Sequence, residues 1–148
     1  MGRGRHAVPL ATAGYRTFGV DGRHDVILDT VCRARNQGLE LHAWCADLTM
    51  PALPPGRFDL VVVTRYLQRD LCPALIETIA PGGFLLYETF TELQKGRGRG
   101  PQSPEHLLRV GELRSLFAEL GELFYEELTD PADDALARLA ARKRRSPS

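Results

Sequence analysis

The sequence predicts an α/β fold built around a mainly parallel β-sheet. Segments with helical periodicity alternate with short apolar segments, and glycines stand at several of the breaks between them. The run FDLVVV at 58–63 is continuous and rich in β-branched residues, which is typical of a strand buried on both faces of a parallel sheet. A second buried strand, FLLY, follows at 84–87. These observations together set the predicted fold class.

The first part of the chain predicts two helices and two strands in alternation. Apolar residues recur every three or four positions in the helical segments, and Gly14 and Gly38 end them. The strand segments are short and rich in β-favouring residues. In order, we predict a helix at 5–13, a strand at 15–20, a helix at 24–37 and a strand at 39–45, followed by a proline-rich loop at 50–56.

The second part continues the alternation after the FDLVVV strand. We predict a helix at 71–80 ended by Pro81-Gly82-Gly83, the FLLY strand, a loop at 94–104, a helix at 110–120 and a strand at 123–128. The loop QKGRGRGPQSP lacks periodicity and has a length that usually indicates function or disorder. The last segment, ALARLAAR at 135–142, leaves two alternatives open. Its alanines favour a helix, whereas its short length and its position after Asp133-Asp134 suit the last strand of a hairpin.

Composition sets further bounds. With 148 residues, 43% of them hydrophobic and 26% charged, the chain is expected to form one globular domain at 1–142 with a basic, solvated tail at 143–148. The formal net charge of zero disfavours binding to nucleic acid or to an anionic membrane. Cys32, Cys45 and Cys72 form no CxxC pair, which argues against a zinc site and a disulfide framework and fits a reducing cytoplasm. No apolar stretch approaches the roughly 20 residues of a membrane-spanning helix.

The first twenty-one residues have the form of a nucleotide-binding unit. A glycine-rich turn containing Gly2 and Gly4 precedes a short helix and a strand, and the strand ends at Asp21-Gly22. In such units the glycines let the backbone approach a ligand, and the acid accepts hydrogen bonds from ribose hydroxyls. The alternative for Asp21 is an ordinary turn aspartate before a glycine.

Further polar residues follow the other predicted strands. Asp47, Thr64 and Glu88 each come just after a strand, so with Asp21 they are expected to line one edge of the sheet. Asp47 can accept a hydrogen bond from an adenine amino group while Leu48 packs on the base, although a simple Asx turn explains it equally well. Thr64-Arg65-Tyr66 is the predicted substrate-facing group, and Tyr66 could stack on, or face, a cationic centre. Tyr66 and Glu88 also have a plain alternative as rim residues.

No constellation for covalent catalysis stands out. The sequence shows no spacing typical of a Ser-His-Asp or Cys-His arrangement and no GxxxxGKS phosphate loop. Nucleophilic and phosphoryl-transfer mechanisms are therefore disfavoured.

Five segments together resemble a known family. In order they read GRGRHA, GVD, CADL, FDLVVVTRYLQR and IAPGGFLLYETF, and they resemble a class I S-adenosylmethionine-dependent methyltransferase, close to the tellurite-resistance-type small-molecule methyltransferases. The resemblance implies a Rossmann-like three-layer sandwich with a mainly parallel sheet and a C-terminal antiparallel hairpin. It also implies methyl transfer from S-adenosylmethionine to a small-molecule acceptor, with the loop at 94–104 as a lid. The cofactor-binding residues that it implies are Gly2, Gly4, Asp21, Gly22, Asp47, Leu48 and Thr64, and the acceptor side would comprise Arg65, Tyr66 and Glu88.

The resemblance also implies a missing element. In the family, a strand ending in an acidic residue precedes the glycine motif and forms the centre of the sheet, whereas only Met1 precedes Gly2 here. We therefore expect an N-terminally truncated fold, either a mis-started reading of a longer protein or a degenerate fragment.

Two other functions remain open at this level. Gly2-x-Gly4-x-x-Ala7 followed by Asp21 also satisfies the fingerprint of an NAD-dependent oxidoreductase. Alternatively, the absence of the first strand could leave a non-catalytic pseudo-methyltransferase that serves as an interaction module.

Overall fold

The computed structural model describes residues 1–50, 53–145 and 147. They form two compact units, Met1–Ala52 and Leu53–Ser148. The elements of the first unit are α1 (Ala7–Thr12), β1 (Thr17–Asp21), α2 (His24–Asn36) and β2 (Leu41–Cys45). Those of the second are β3 (Phe58–Thr64), α3 (Cys72–Thr78), β4 (Ile79–Phe90), α4 (Glu112–Leu116), β5 (Gly121–Leu128) and β6 (Leu136–Arg142), with 3-10 turns at Arg69–Leu71, Glu92–Gln94 and Pro104–His106.

The first unit is a parallel pair of strands with helices packed against it. β1 and β2 are in a register that pairs Thr17 with Leu41 and Asp21 with Cys45, so both carboxyl ends lie at the same edge. α2 contacts β2 and buries Ile27 and Ala34, which belong to its apolar face. All four predicted elements of this part are present, with α1 shorter at both ends than predicted.

The second unit is a four-stranded sheet in the order β3-β4-β6-β5. β3 and β4 are parallel, whereas β6 runs antiparallel to both β4 and β5. The predicted C-terminal antiparallel hairpin is therefore confirmed. One face of this sheet carries the core, with Leu85 and Leu113 fully buried and Tyr87 packed against Phe117 at 5.4 Å between ring centroids.

The expectation that β3 is buried on both faces is wrong for this structure. Leu60 is 38% exposed, and none of the strand's residues falls in the buried class. The reason is that one face of the sheet is exposed on both β3 and its neighbour β4, and β3 is also the outermost of the four described strands of this sheet. The cross-strand neighbours Phe84 and Leu86 are 40% and 43% exposed on the same face as Leu60 and Val62.

The Pro-Gly-Gly segment has a different role from the predicted helix stop. α3 ends at Thr78, and β4 already begins at Ile79, so the segment lies within β4. A Cβ on Gly83 would lie 2.9 Å from the carbonyl oxygen of Ala80, which is too close for a side chain, and 3.0 Å from that of Asp59 on the neighbouring strand. Gly83 thus permits the irregular pairing at the start of the β3–β4 ladder.

The segment ALARLAAR forms a strand rather than a helix. β6 lies inside the sheet and makes backbone ladders with β4 on one side and β5 on the other. Alanine's helix preference is worth only a few tenths of a kcal/mol per residue over most others, so two ladders outweigh it.

The basic residues Arg142 and Lys143, at the end of β6 and the start of the predicted tail, have defined contacts. Arg142 ends β6, and its guanidinium lies 5.2 Å from the ring centroid of Phe84. The Lys143 ammonium donates to the carbonyl oxygens of Ile76, Glu77 and Ile79 at the end of α3, where the helix dipole favours a cation. Lys143 therefore differs from the solvated character that the sequence predicts for the tail at 143–148, whereas Arg142 is exposed.

None of the described helices meets the length and hydropathy that a membrane crossing requires, since the longest, α2, has 13 residues.

Candidate functional site

The glycine turn at the start of the chain requires glycine for two reasons. Gly2 and Gly4 have φ values of 55° and 79°, in the left-handed region that side chains rarely adopt. A Cβ on Gly4 would also lie 2.6 Å from Cγ2 of Thr30. Around Gly2, by contrast, a Cβ would meet no atom within 4 Å. The turn is thus packed tightly against α2 at Gly4 and open at Gly2.

Asp21 joins this turn to the carboxyl end of β1. Its Oδ2 accepts a 2.7 Å hydrogen bond from the Gly2 amide, and its Oδ1 accepts one of 3.0 Å from the Arg23 amide. The N-terminal ammonium of Met1 lies 3.4 Å from Oδ2. Burial by itself would raise the pKa of Asp21, but the two amides and the ammonium outweigh it and lower the pKa. The Arg23 Nε also lies 3.6 Å from Oδ1. A carboxylate offers about four acceptor directions and three are used by these hydrogen bonds, so Asp21 keeps about one on Oδ1 for a further donor.

Asp47 lies two residues beyond β2, at the same edge of the strand pair. Its Oδ1 accepts hydrogen bonds from the hydroxyl and the amide of Thr49, at 2.6 and 2.9 Å. These bonds, led by that of the hydroxyl, lower the pKa of Asp47. Asp47 therefore forms the Asx turn that the sequence left as an alternative, and Leu48 beside it is half-buried. Gly22 follows Asp21 at this edge, with its carbonyl oxygen 3.5 Å from Sγ of Cys45.

Two residues of α2 that the sequence did not reveal support the glycine turn. Thr30 is fully buried, and its hydroxyl donates a 3.2 Å hydrogen bond to the carbonyl oxygen of Gly2. The Arg33 guanidinium donates one of 3.0 Å to the carbonyl oxygen of Arg3. A polar threonine on the apolar face of the predicted helix was the signal in the sequence. Its partner lies 28 residues away, and a local pattern does not identify such a partner.

In the second unit, the predicted acceptor residues follow β3. Thr64 is the last residue of the strand and pairs with Glu88 of β4. Arg65 is the only described non-glycine residue with a positive φ, at 53°. Its amide donates to the Glu88 carbonyl oxygen at 2.8 Å, which ties the residue to the neighbouring strand β4. The Arg65 side chain reaches Asp134, with 3.1 Å between Nη2 and Oδ2.

Tyr66 is held by its backbone and keeps a partly exposed ring. Its carbonyl oxygen accepts a 2.8 Å hydrogen bond from the hydroxyl of Tyr87, whose pKa is raised chiefly by burial. The Tyr66 side chain is 40% exposed, and its hydroxyl donates to Oε1 of Gln68 at 2.5 Å. The structure therefore agrees with a rim position for this tyrosine.

Glu88 lies on the exposed face of the sheet. Its Oε2 accepts a 2.7 Å hydrogen bond from Nε of Arg138 on β6, and Arg138 also lies 3.5 Å from the carboxylate of Glu126. Arg65 and Glu88, both predicted for the acceptor side, are thus engaged with different partners. The ion pair accounts for Glu88 as a cross-strand contact within the sheet.

The glycine-rich loop is fastened to the turn between β5 and β6. Gln94 is fully buried, donates to the carbonyl oxygen of Arg99 at 2.9 Å and accepts from the amide of Ala135 at 2.7 Å. Arg97 donates to the carbonyl oxygens of Asp130 and Asp133. The segment predicted as a lid is therefore in a docked position in this structure.

The segment after this loop is tied to the residues following β3. Arg69 and Glu112 form a bidentate ion pair with N···O distances of 2.6 and 2.9 Å. The Arg69 guanidinium lowers the pKa of Glu112 to about 2, against the opposing effect of burial, with help from the Arg109 amide. This pair fixes α4 close to the chain segment that carries Tyr66.

Two open grooves lie away from these residues. One of about 410 Å³ is lined by α2 and the start of β2, and one of about 570 Å³ by the start of β5 and the basic residues after β6. Within residues 1–50, 53–145 and 147, histidine, cysteine and carboxylate side chains form no group of three or more that could hold a metal ion.

The fold is similar to the Rossmann-like fold of solved S-adenosylmethionine-dependent methyltransferases, which confirms the predicted fold class. TehB from Haemophilus influenzae matches at a TM-score of 0.80 and 19% identity, over 97% of this chain and 55% of that chain. A SAM-dependent methyltransferase from Methanosarcina mazei matches at 0.76 and 18%, over 98% and 90% of the two chains. The [4+2]-cyclase SpnF matches at 0.80 and 16%, over 97% and 72%.

At these identities the likeness is one of fold. The chain spans about half the length of TehB, with 55% of that chain covered. No protein-family profile matches the sequence, and no curated protein matches it in a sequence search. SpnF, a cyclase by its name, also illustrates that one fold carries different reactions, so the reaction has to be argued from the residues.

Proposed function

We propose that this chain binds S-adenosylmethionine and transfers its methyl group to a small-molecule acceptor. The observation that carries the proposal is the contact between the glycine turn and the acid at the end of β1. Gly2 leaves open space beside the backbone, and Asp21 retains acceptor capacity while hydrogen-bonded to the Gly2 amide. Open backbone beside an acid at the end of a parallel strand is the arrangement that receives an adenosine ribose.

The residues of the first unit divide the work of binding. Asp21 accepts a hydrogen bond from a ribose hydroxyl, and Gly2, Gly4 and Gly22 let the ligand approach the backbone. Asp47 has two hydrogen bonds on Oδ1, which leaves Oδ2 without one within the described part of the chain. That oxygen can accept from the adenine amino group while Leu48 contacts the ring.

The acceptor side is assigned to the second unit. When bound, the cofactor supplies an electrophilic methyl group on a sulfonium. Thr64 belongs to the cofactor side, whereas Arg65, Tyr66 and Glu88 orient the acceptor. Alignment and exclusion of water can supply several kcal/mol of the barrier, so no side chain is assigned as acid, base or nucleophile. The three cysteines are unbridged, and we infer that the protein works in the cytoplasm.

Equilibrium binding to the full chain tests the proposal. Trp44, the single tryptophan, lies in β2 and pairs with Val20 next to Asp21, so its fluorescence is a suitable probe. We expect saturable binding of S-adenosylhomocysteine and S-adenosylmethionine and none of NAD. Binding of NAD alone would favour an oxidoreductase. A chain that unfolds cooperatively but binds neither cofactor would favour the non-catalytic alternative.

Turnover can be followed once binding is established. S-adenosylhomocysteine release from S-adenosylmethionine is measured with panels of thiol, amine, hydroxyl and oxyanion acceptors. Release above the acceptor-free rate with one panel identifies the nucleophile class. Cofactor binding without release in any panel would contradict the catalytic part of the proposal.

A further inference from the structure

The backbone of Arg65 is held in a conformation that its residue type disfavours. Its φ of 53° is in the left-handed region, where an L-residue with a long side chain is strained. Strain of this kind persists only when surrounding contacts impose it, and it often occurs where a side chain serves a function. The residue follows β3 directly, so the strained position lies at the carboxyl end of that strand.

The Arg65 side chain lies against a carboxylate that a second arginine shares. Nη2 of Arg65 is 3.1 Å from Oδ2 of Asp134, and Nε of Arg99 is 2.9 Å from Oδ1. Gln94 adds a long hydrogen bond of 3.4 Å to Oδ1. Two guanidinium groups therefore converge on one carboxylate, which compensates one of the two positive charges.

The nearby carboxylates do not form ion pairs with these two arginines among the described residues. Glu88 pairs with Arg138, and Oδ1 of Asp130 accepts the Ala132 amide. Asp133 lies on the same turn, and its carbonyl oxygen accepts a hydrogen bond from Arg97. The guanidinium groups of Arg65 and Arg99 thus have only the Asp134 carboxylate in direct ionic contact.

Both arginines remain accessible. Their side chains are 41% and 49% exposed, whereas that of Asp134 is 20% exposed. The guanidinium carbon of Arg65 lies 5.2 Å from the ring centroid of Phe90, which limits its motion without burying its outer donors. A guanidinium held by an aromatic ring and a carboxylate presents its remaining N–H groups in a fixed orientation, which suits an oxyanion.

We propose that Arg65 and Arg99 form an anion-binding pair that selects an acceptor bearing a carboxylate or another oxyanion group, with Asp134 positioning both guanidiniums. This assignment rests on the proposed methyl transfer, because it concerns the acceptor side of that site. The anionic group of the acceptor binds the outer N–H groups of the pair and competes electrostatically with Asp134 for them. A neutral acceptor of the same shape leaves the positive charge that Asp134 does not compensate without a partner.

Inorganic phosphate is the probe for the test, and the ¹⁵N-labelled full chain reports on the arginine Nε–H resonances. We expect saturable shifts of the Arg65 and Arg99 resonances. Arg65→Gly keeps a backbone that favours the left-handed conformation, so it should fold, and it should weaken phosphate binding at least tenfold. Asp134→Asn should tighten phosphate binding severalfold, because it removes the competing negative charge. A purely structural role of Asp134 would leave phosphate affinity unchanged.

Arg16→Gln is the matched control, since Arg16 also lies over an aromatic ring, that of Phe18, at 5.3 Å. It should leave phosphate binding unchanged. Unmoved Arg65 and Arg99 resonances, or equal phosphate affinity in wild type and Arg65→Gly, would overturn the anion-binding pair. S-adenosylhomocysteine binding, measured on the same samples, separates this from the proposed function. Cofactor binding without phosphate binding would contradict only the proposal of an anion-binding pair. Phosphate binding without cofactor binding would contradict the link between this pair and methyl transfer.

Discussion

The amide of Gly2 donates a 2.7 Å hydrogen bond to the carboxylate of Asp21, 19 residues further along the chain. This bond makes the glycine turn and the acid one structural unit. The Thr30 hydroxyl holds the carbonyl oxygen of the same glycine at 3.2 Å, so Gly2 is fixed through both of its backbone polar groups. A ligand that binds Asp21 therefore meets a turn that is already ordered, which lowers the entropy cost of binding.

Replacing the acid tests this unit directly. Asp21→Asn removes the negative charge and places an amide next to the Gly2 N–H, so S-adenosylhomocysteine should bind more weakly by about 1.5–3 kcal/mol, the value of a charged hydrogen bond. That corresponds to an increase in Kd of roughly 10- to 150-fold. Calorimetric titration measures it. Asp25→Asn, an exposed carboxylate in the first turn of α2, is the control and should leave Kd unchanged. An unchanged Kd for Asp21→Asn would exclude this residue from the site.

Thr30→Val tests the support beneath the turn. The substitution keeps the shape that contacts Gly4 but removes the hydroxyl and leaves the Gly2 carbonyl oxygen without this donor. We expect a loss of about 1 kcal/mol in the free energy of unfolding, together with a severalfold weaker affinity for S-adenosylhomocysteine. Urea unfolding and calorimetry measure the two effects. Thr12→Val is matched, because the exposed Thr12 hydroxyl also bonds a backbone carbonyl oxygen. Equal effects of the two substitutions would argue against a special role for Thr30.

The docked loop predicts a change in protease sensitivity. Gln94→Leu removes the acceptor of the Ala135 amide and leaves that buried donor unpaired, so the docked state loses roughly 1–3 kcal/mol. Trypsin should then cleave after Arg97 or Arg99 about 5- to 150-fold faster than in wild type, if cleavage follows the population of the open loop. Gln102→Leu is the control, since its bonds stay within the loop. Similar cleavage rates in the two variants would contradict the role of Gln94 in holding the loop in its docked position.

The Arg69–Glu112 pair predicts a pH-dependent stability. The pKa of Glu112 is lowered from 4.5 to about 2, so the folded state binds this proton less readily than the unfolded chain. Its contribution is complete above about pH 5 and is lost as the pH falls towards 2. Glu112→Gln should therefore cost roughly 1.5–3 kcal/mol in the free energy of unfolding at pH 7, with a smaller cost at pH 3.

Urea unfolding at several pH values measures this dependence. Glu122→Gln is the control, because Glu122 pairs with Arg114 on the surface, where an ion pair contributes about 0–1 kcal/mol. A cost of Glu112→Gln that stays constant between pH 7 and pH 3 would show that the charge of this carboxylate does not account for the stabilisation.

How much the sequence predicts differs between elements for physical reasons. The segment at 24–37 has helical periodicity and that at 58–63 is a continuous β-branched run, and the structure places α2 and β3 there within one residue at each end. The segment at 135–142 has no decisive local signal, because alanine suits a helix while two neighbouring strands offer ladders on both sides. Pairing with strands that are distant in sequence made this segment a strand rather than a helix. The order of pairing also placed β3 at the edge of its sheet.

The candidate site divides in the same way. By itself, the sequence determined the glycine turn, the acid at the end of β1 and the polar residues after β2 and β3, because strand length, glycine and turn residues are local properties. The tertiary structure alone decided their partners. In the folded chain, Gly2 is hydrogen-bonded to Asp21 and Thr30. Glu88 forms an ion pair with Arg138, and Arg65 forms one with Asp134. These contacts bring together residues 19 to 69 positions apart, and such pairs form only when the packed elements bring their side chains within a few ångströms.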